Sequence, residues 1–283
     1  VIDPIRPARR GTLTLFVAAH AALTVVINLG LFASHALTPL ASATGGLLTG
    51  SLLANWALLA LLVGGVMLGY GHLRRYDLGI APGKLRRAAG ITLGIWLAAQ
   101  GVHLLGGVLA HGDIRLHWWW QGGAIPLVGL LLTQLLGNAL FEEIAFRGLL
   151  FPQMLLRLSR IATPRTRIAV AIGISQGIFA LIHIPNRLYL GMDAPAMLVD
   201  LVMLLLCGVL LTCIYIRTDN LFICVGIHAL GNTPTTLFAS HPALEGSGAS
   251  LLMYGLGVCA VFVIPAAWQS IRPSRYIRAY TGA

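Results

Sequence analysis

Residues 47–71 read LLTGSLLANWALLALLVGGVMLGYG, a stretch with no Asp, Glu, Lys or Arg. A helix needs about 20 apolar residues to cross the hydrocarbon of a bilayer. In lipid the backbone groups must be satisfied within the segment, which a helix does by itself. The stretch therefore predicts a spanning helix. Runs 12–34 and 88–110 are equally free of charge, and five more follow at 124–156, 168–185, 195–216, 220–238 and 249–271. The expected fold is all-α, a polytopic membrane helix bundle with about eight transmembrane helices. The fourth run is too long for one straight crossing and is expected to continue as a bent or interfacial helix. The first run is too long for a signal-peptide core and no A-x-A-like site follows it, so it reads as a span.

Composition agrees with this reading. Hydrophobic residues make up 57% of the 283-residue chain and charged residues 10%, against roughly 25% charged in soluble domains. No linker or repeat divides residues 1–283, which predicts a single membrane domain. Cys207, Cys213, Cys224 and Cys259 all lie in apolar runs without C-x-x-C spacing, as small hydrophobes do. The net charge of +10 does not indicate nucleic acid, because the basic residues sort by loop. Arg6, Arg9 and Arg10 precede the first run, and Arg74, Arg75, Lys84, Arg86 and Arg87 separate the second from the third. Arg157, Arg160, Arg165 and Arg167 separate the fourth from the fifth, Arg217 follows the sixth, and Arg272, Arg275 and Arg278 follow the eighth. The alternate loops carry only Arg115 and Arg187. Positive residues stay inside, so both termini are expected in the cytoplasm. Trp118, Trp119 and Trp120 suit the outer interface. The strong preference for Arg over Lys fits a GC-rich bacterial genome and hence a bacterial cytoplasmic membrane.

Charge inside a span costs about 2.5–3.5 kcal/mol on insertion scales and so calls for a reason. Three clusters need one. Run four contains Phe141-Glu142-Glu143-Ile144-Ala145-Phe146-Arg147. Glu143 and Arg147 have the i, i+4 spacing of a helical ion pair. Glu142 points about 100° away and has no local cation, which leaves it free to act as a base. Run five closes with Phe179-Ala-Leu-Ile-His183, followed by Pro185. Run seven carries His228-Ala-Leu-Gly-Asn232, two donors on one helical face, with Pro234 beyond. Each cluster alone also fits a structural role: a charge network at a bend, a hydrogen-bonded core histidine, or a polar helix contact. Together, one Glu, two His and one Asn on three spans form a hydrolytic inventory. A carboxylate would take a proton from water, a histidine would hold that water or relay the proton, and His228 and Asn232 would donate to the oxyanion of a tetrahedral intermediate. Asn55, Gln100, His103, Gln134, Asn138 and Gln176 are expected to hydrogen-bond between helices, with Asn138 one turn before Glu142 and able to orient it. Asp200 is expected at the outer interface, and His20 in the packed core.

The three motifs in this order resemble the CPBP family of intramembrane proteases, which groups type II CAAX prenyl endopeptidases with bacteriocin-processing and Abi-like immunity proteins. Its pattern of E-E-x-x-x-R, F-x-x-x-H and H-x-x-x-N/D is carried by Glu142, Glu143 and Arg147, by Phe179 and His183, and by His228 and Asn232, within a core of about 125–240. The resemblance implies an endopeptidase cutting a membrane-associated or lipidated peptide substrate, with membrane lipid as its surroundings. It implies that Glu142 and His183 activate water while His228 and Asn232 stabilise the oxyanion, with Glu143, Arg147 and Phe179 supporting these catalytic residues. It also leaves a metalloprotease version open, in which Zn²⁺ would use His183, His228 and Glu142. A non-proteolytic scaffold or immunity protein, and a proton-coupled transporter, are the alternatives. Counted from the nearest cytoplasmic charges, Glu142, His183 and His228 lie roughly 22, 24 and 16 Å deep at a 1.5 Å rise per residue. That depth predicts runs four and five extending into the cytoplasm and a wet cavity reaching the site, which the resemblance opens on the cytoplasmic side.

Overall fold

A computed structural model describes residues 5–263 except 119, 121, 122, 162 and 234. Trp119, Pro234, the end of the eighth run and Arg272, Arg275 and Arg278 lie outside the described residues. The fold is an all-α bundle, with no strand among the described residues beyond one isolated bridge between Leu116 and Phe238. Among the described residues six helices are long and apolar enough to cross a membrane: α1 (Arg10–Phe32), α2 (Gly50–Tyr70), α3 (Pro82–His111), α4 (Ala124–Arg157), α5 (Pro164–Tyr189) and α6 (Ala194–Thr218). Two shorter apolar helices follow, α7 (Leu221–Asn232) and α8 (Ser247–Val263).

The seventh run was expected to extend to residue 238, and α7 stops six residues earlier. Thr233 turns to φ −141°, ψ 86°, because the residue before a proline is driven out of the helical region. The fourth run is one long helix containing two π-wound stretches, Gln134–Asn138 and Glu143–Leu150. At its centre α4 is enclosed on all sides: every residue from Glu143 to Leu150 is buried. Gly148 is part of the reason. A Cβ there would collide with the carbonyl oxygen of Leu78, so glycine lets the Arg75–Leu78 turn lie directly on α4.

That turn is held by Asp77, which is 2% exposed. Its carboxylate accepts from the backbone N–H groups of Arg74 (2.8 Å) and Arg6 (3.1 Å) and from the Arg74 guanidinium (3.2 Å). Burial pushes the carboxyl up, but the Arg74 and Arg6 hydrogen bonds outweigh it and hold the group below its ordinary 3.8. A depressed carboxylate contributes stability that is present above its unfolded value and lost as pH falls through the folded one. The thermal midpoint is therefore expected to drop below about pH 4, more steeply than in Asp77→Asn, whose midpoint starts lower at pH 7. Parallel acid dependence in the two proteins would remove Asp77 as the cause.

Around the same end of the bundle the loops interlock. The backbone N–H of Ala8 donates to Gln153 on α4 (2.7 Å), and the Arg157 guanidinium donates to the carbonyl of Ala8 (3.0 Å). Lys84 at the start of α3 pairs with Asp219 after α6 (2.8 Å). Of the polar residues expected between helices, Asn55 and Asn138 pair, Gln134 accepts from Asn232, and Gln100 accepts from the backbone N–H of Leu237. Two depart from that expectation. Gln176 donates to its own neighbour Ser175, its side chain being pressed against Gly208, and buried His103 has no partner for either ring nitrogen among the described residues.

Candidate active site

Glu142 lies where α4, α5 and α7 meet, and both histidines of the motifs turn toward it. Nε2 of His183 is 3.7 Å from Glu142 Oε1, and Nε2 of His228 is 3.6 Å from Glu142 Oε2. Each ring is fixed from behind. His183 follows the end of the regular helix at Leu181, where Pro185 two residues on cannot continue the hydrogen-bond ladder. The ring folds back so that Nδ1–H donates to the carbonyl of Phe179 at 2.7 Å. On α7, the Nδ1–H of His228 donates to Glu143 Oε1 at 2.7 Å. A carbonyl and an ionised carboxylate can only accept, so these contacts assign the tautomers. In the neutral rings both Nε2 atoms then carry lone pairs, and both face a carboxylate. Three acceptors converge on one small volume with no hydrogen between them. A water molecule, with two O–H groups to give, suits that arrangement.

Glu143 has a second duty that the sequence reading missed. Its Oε1 also accepts from Arg147 Nη1 at 3.0 Å, so the expected i, i+4 ion pair forms, with both side chains 0% exposed. The pair is the anchor of His228 as well. Only the three-dimensional approach of α7 to α4 reveals this contact, since the two residues are 85 positions apart. Arg147 continues to the carbonyl of Gly208 on α6 (3.2 Å), and its guanidinium carbon lies 4.9 Å from the centre of the Phe179 ring. Phe179 therefore serves two neighbours: its ring receives the cation, and its carbonyl aims His183. The Phe-x-x-x-His spacing follows directly.

Asn232, one turn beyond His228, reaches the same cavity, and its Nδ2 donates to Gln134 Oε1 at 3.1 Å. An amide nitrogen carries two hydrogens, which leaves one for another acceptor. Asn138 does not orient Glu142: its oxygen accepts from Ser51 (3.1 Å) and from Asn55 across the α2–α4 contact. His20 is buried as expected, its ring 5.0 Å from that of Phe141 and 5.6 Å from that of Phe16, yet it also lines the cavity. Asp200 pairs with Arg187 at 2.6 Å near the cavity rim. The cavity measures about 340 Å³ and takes its walls from α1, α2, α4, α5, α6 and α7. The N-terminal helices, from which no function was read, thus form one side of it.

The four cysteines are free thiols. Among the described residues no group of three His, Cys, Asp or Glu side chains is arranged to hold a metal ion.

Residues 124–234 match the family described as Rce1-like, type II CAAX prenyl endopeptidase Rce1-like. The match spans all three motifs and agrees with the resemblance they carry; the family is one of CAAX-type intramembrane proteases. No curated protein and no solved structure matches the chain.

Proposed function

We propose that this chain, which carries a type II CAAX prenyl endopeptidase-like segment in a membrane-embedded bundle, is an endopeptidase that hydrolyses its substrate with water activated by Glu142. The observation that carries the reading is the convergence of Glu142 with two Nε2 atoms whose opposite nitrogens are both tied down.

A water held by Glu142 and His183 gives its proton to Glu142 while its oxygen attacks the substrate carbonyl carbon. The carbonyl π-electrons move to oxygen. That oxyanion accepts from the free N–H of Asn232 and from Nε2–H of His228, which has taken a proton from solvent at Nε2 before the attack. Glu143 behind Nδ1 stabilises that cation, and with Glu142 now protonated the Glu143 carboxylate and the oxyanion balance the guanidinium and the imidazolium. Glu142 next passes its proton to the amide nitrogen, the C–N bond breaks, and a carboxylate and an amine leave.

Removing one oxyanion donor costs about 10²–10³-fold in kcat where such sites have been dissected. Asn232→Ala is expected to lose about 10²-fold in kcat with little change in KM, read on a fluorogenic membrane peptide with the purified protein in lipid. An equal fall in kcat and a large rise in KM would reassign Asn232 to substrate binding. Exhaustive chelation is expected to leave turnover unchanged. Loss on chelation with recovery on Zn²⁺ would overturn this mechanism and give Glu142, His183 and His228 the part of ligands. A Glu142→Gln protein that retains its biological effect would instead favour a binding or immunity role.

A further inference from the structure

The cavity has one polar end and one closed end. From Glu142 its polar lining runs in a single direction along the helices that wall it. On α4, Gln134 and Asn138 lie toward Ala124; on α5, Asn186 and Arg187 lie toward Tyr189; on α7, Asn232 is the last residue. On α1, Asn28 lies toward Phe32, and on α2, Ser51 and Asn55 lie within two turns of Gly50. In the opposite direction the bundle is packed solid. Phe16, Met67, Phe146, Leu149, Phe151 and Tyr215 are all 0% exposed.

The two ends also differ in charge. The closed end joins the start of α1 and the ends of α2, α4 and α6 to the starts of α3, α5 and α7. It carries Arg9, Arg10, Arg74, Arg75, Lys84, Arg86, Arg87, Arg157, Arg160, Arg165, Arg167 and Arg217. The polar end carries Arg115 and Arg187, and Arg187 is paired with Asp200. Basic loops mark the cytoplasmic face.

We infer that the cavity opens on the extracytoplasmic side and takes its substrate from there, as an extended peptide segment of a secreted or membrane-anchored polypeptide. This rests on the proteolytic reading of the same site and corrects the cytoplasmic opening that the family resemblance implies. The lining supports the form of the substrate. Six carboxamide side chains line the cavity in three hydrogen-bonded pairs, Asn28–Asn186, Asn55–Asn138 and Gln134–Asn232, and with two N–H groups and two lone pairs each they keep capacity beyond these bonds. Carboxamides offer donors and acceptors without net charge, which matches the unpaired N–H and C=O groups of an unwound backbone in a low-dielectric setting. A lipidated tail anchored in the inner leaflet would meet the packed end instead.

The test reads access, which needs no catalysis. Asn186→Cys and Ser51→Cys at the polar end, and Arg86→Cys at the basic end, are expressed in the native membrane. Sealed right-side-out and inside-out vesicles are treated with a membrane-impermeant maleimide, with the unsubstituted protein as background. The two polar-end cysteines are expected to react at least about tenfold faster in right-side-out vesicles, and Arg86→Cys in inside-out ones; tenfold corresponds to about 1.4 kcal/mol of access barrier. Reaction of the polar-end cysteines from the cytoplasmic side, from the same side as Arg86→Cys, or from neither side would overturn the inference. An active protease could fail this test, and a chain with no protease activity could pass it, so the two readings fall separately.

Discussion

Glu142→Gln is expected to lower peptide hydrolysis by about 10³-fold, within the 10²–10⁴-fold that a positioned acid–base group contributes. Glutamine keeps the size and one oxygen of the side chain, so the shape of the cavity that Glu142, Phe141 and Phe146 line is preserved. It cannot accept the proton that the attacking water must lose. Glu142 faces the cavity between the two histidines and, unlike Glu143, pairs with no guanidinium, so the substitution breaks no ion pair with one. Thermal stability in lipid is expected to stay within a degree or two of wild type, and that separates chemistry from folding. A large loss of stability with the loss of activity would make Glu142 a structural residue.

The opposite signature is expected for Arg147→Ala. Arg147 and Glu143 are both fully buried, and His228 depends on the same Oε1 atom. Breaking a buried pair by deleting one partner costs about 3–5 kcal/mol, because the other charge remains without compensation. The variant is expected to unfold far below the wild-type temperature or to fail to accumulate. The double variant Glu143→Leu/Arg147→Met should recover much of that stability, since apolar replacement of a whole pair is often neutral. It should not recover activity, because His228 loses its acceptor at Nδ1. Recovery of both would show that the pair has no part in aiming His228. Stability is read by thermal unfolding in detergent–lipid micelles and activity by turnover of the same peptide.

Most of the fold was legible because lipid simplifies the code. A run such as 47–71 can satisfy its backbone in few ways, and every predicted run corresponds to a helix. The misreading at the end of α7 came from counting apolar residues past a proline. The motif residues were legible for a related reason: charge and imidazole inside apolar runs are costly enough to stand out. Their wiring was not. That Glu143 bonds His228, that Phe179 lends a carbonyl to His183, and that Asn138 turns toward α2 all depend on contacts between helices, which no i, i+4 pattern encodes. The side of opening was hidden for the same cause. Depth counted from loop charges placed the three groups at one level, and the inference of which way that level opens rests on the direction of the polar lining, which comes from the packing of six helices.

The claim that Glu142 directs water onto a peptide bond is tested most directly with isotopically labelled water. Purified protein in lipid vesicles is incubated with membrane-anchored peptides in H₂¹⁸O, and new C-termini are read by mass spectrometry alongside Glu142→Gln. Wild type is expected to produce new carboxylates carrying one ¹⁸O atom, nearly absent with the variant. Unchanged formation of those termini by Glu142→Gln, or no new termini from wild type across the peptide set, would contradict it.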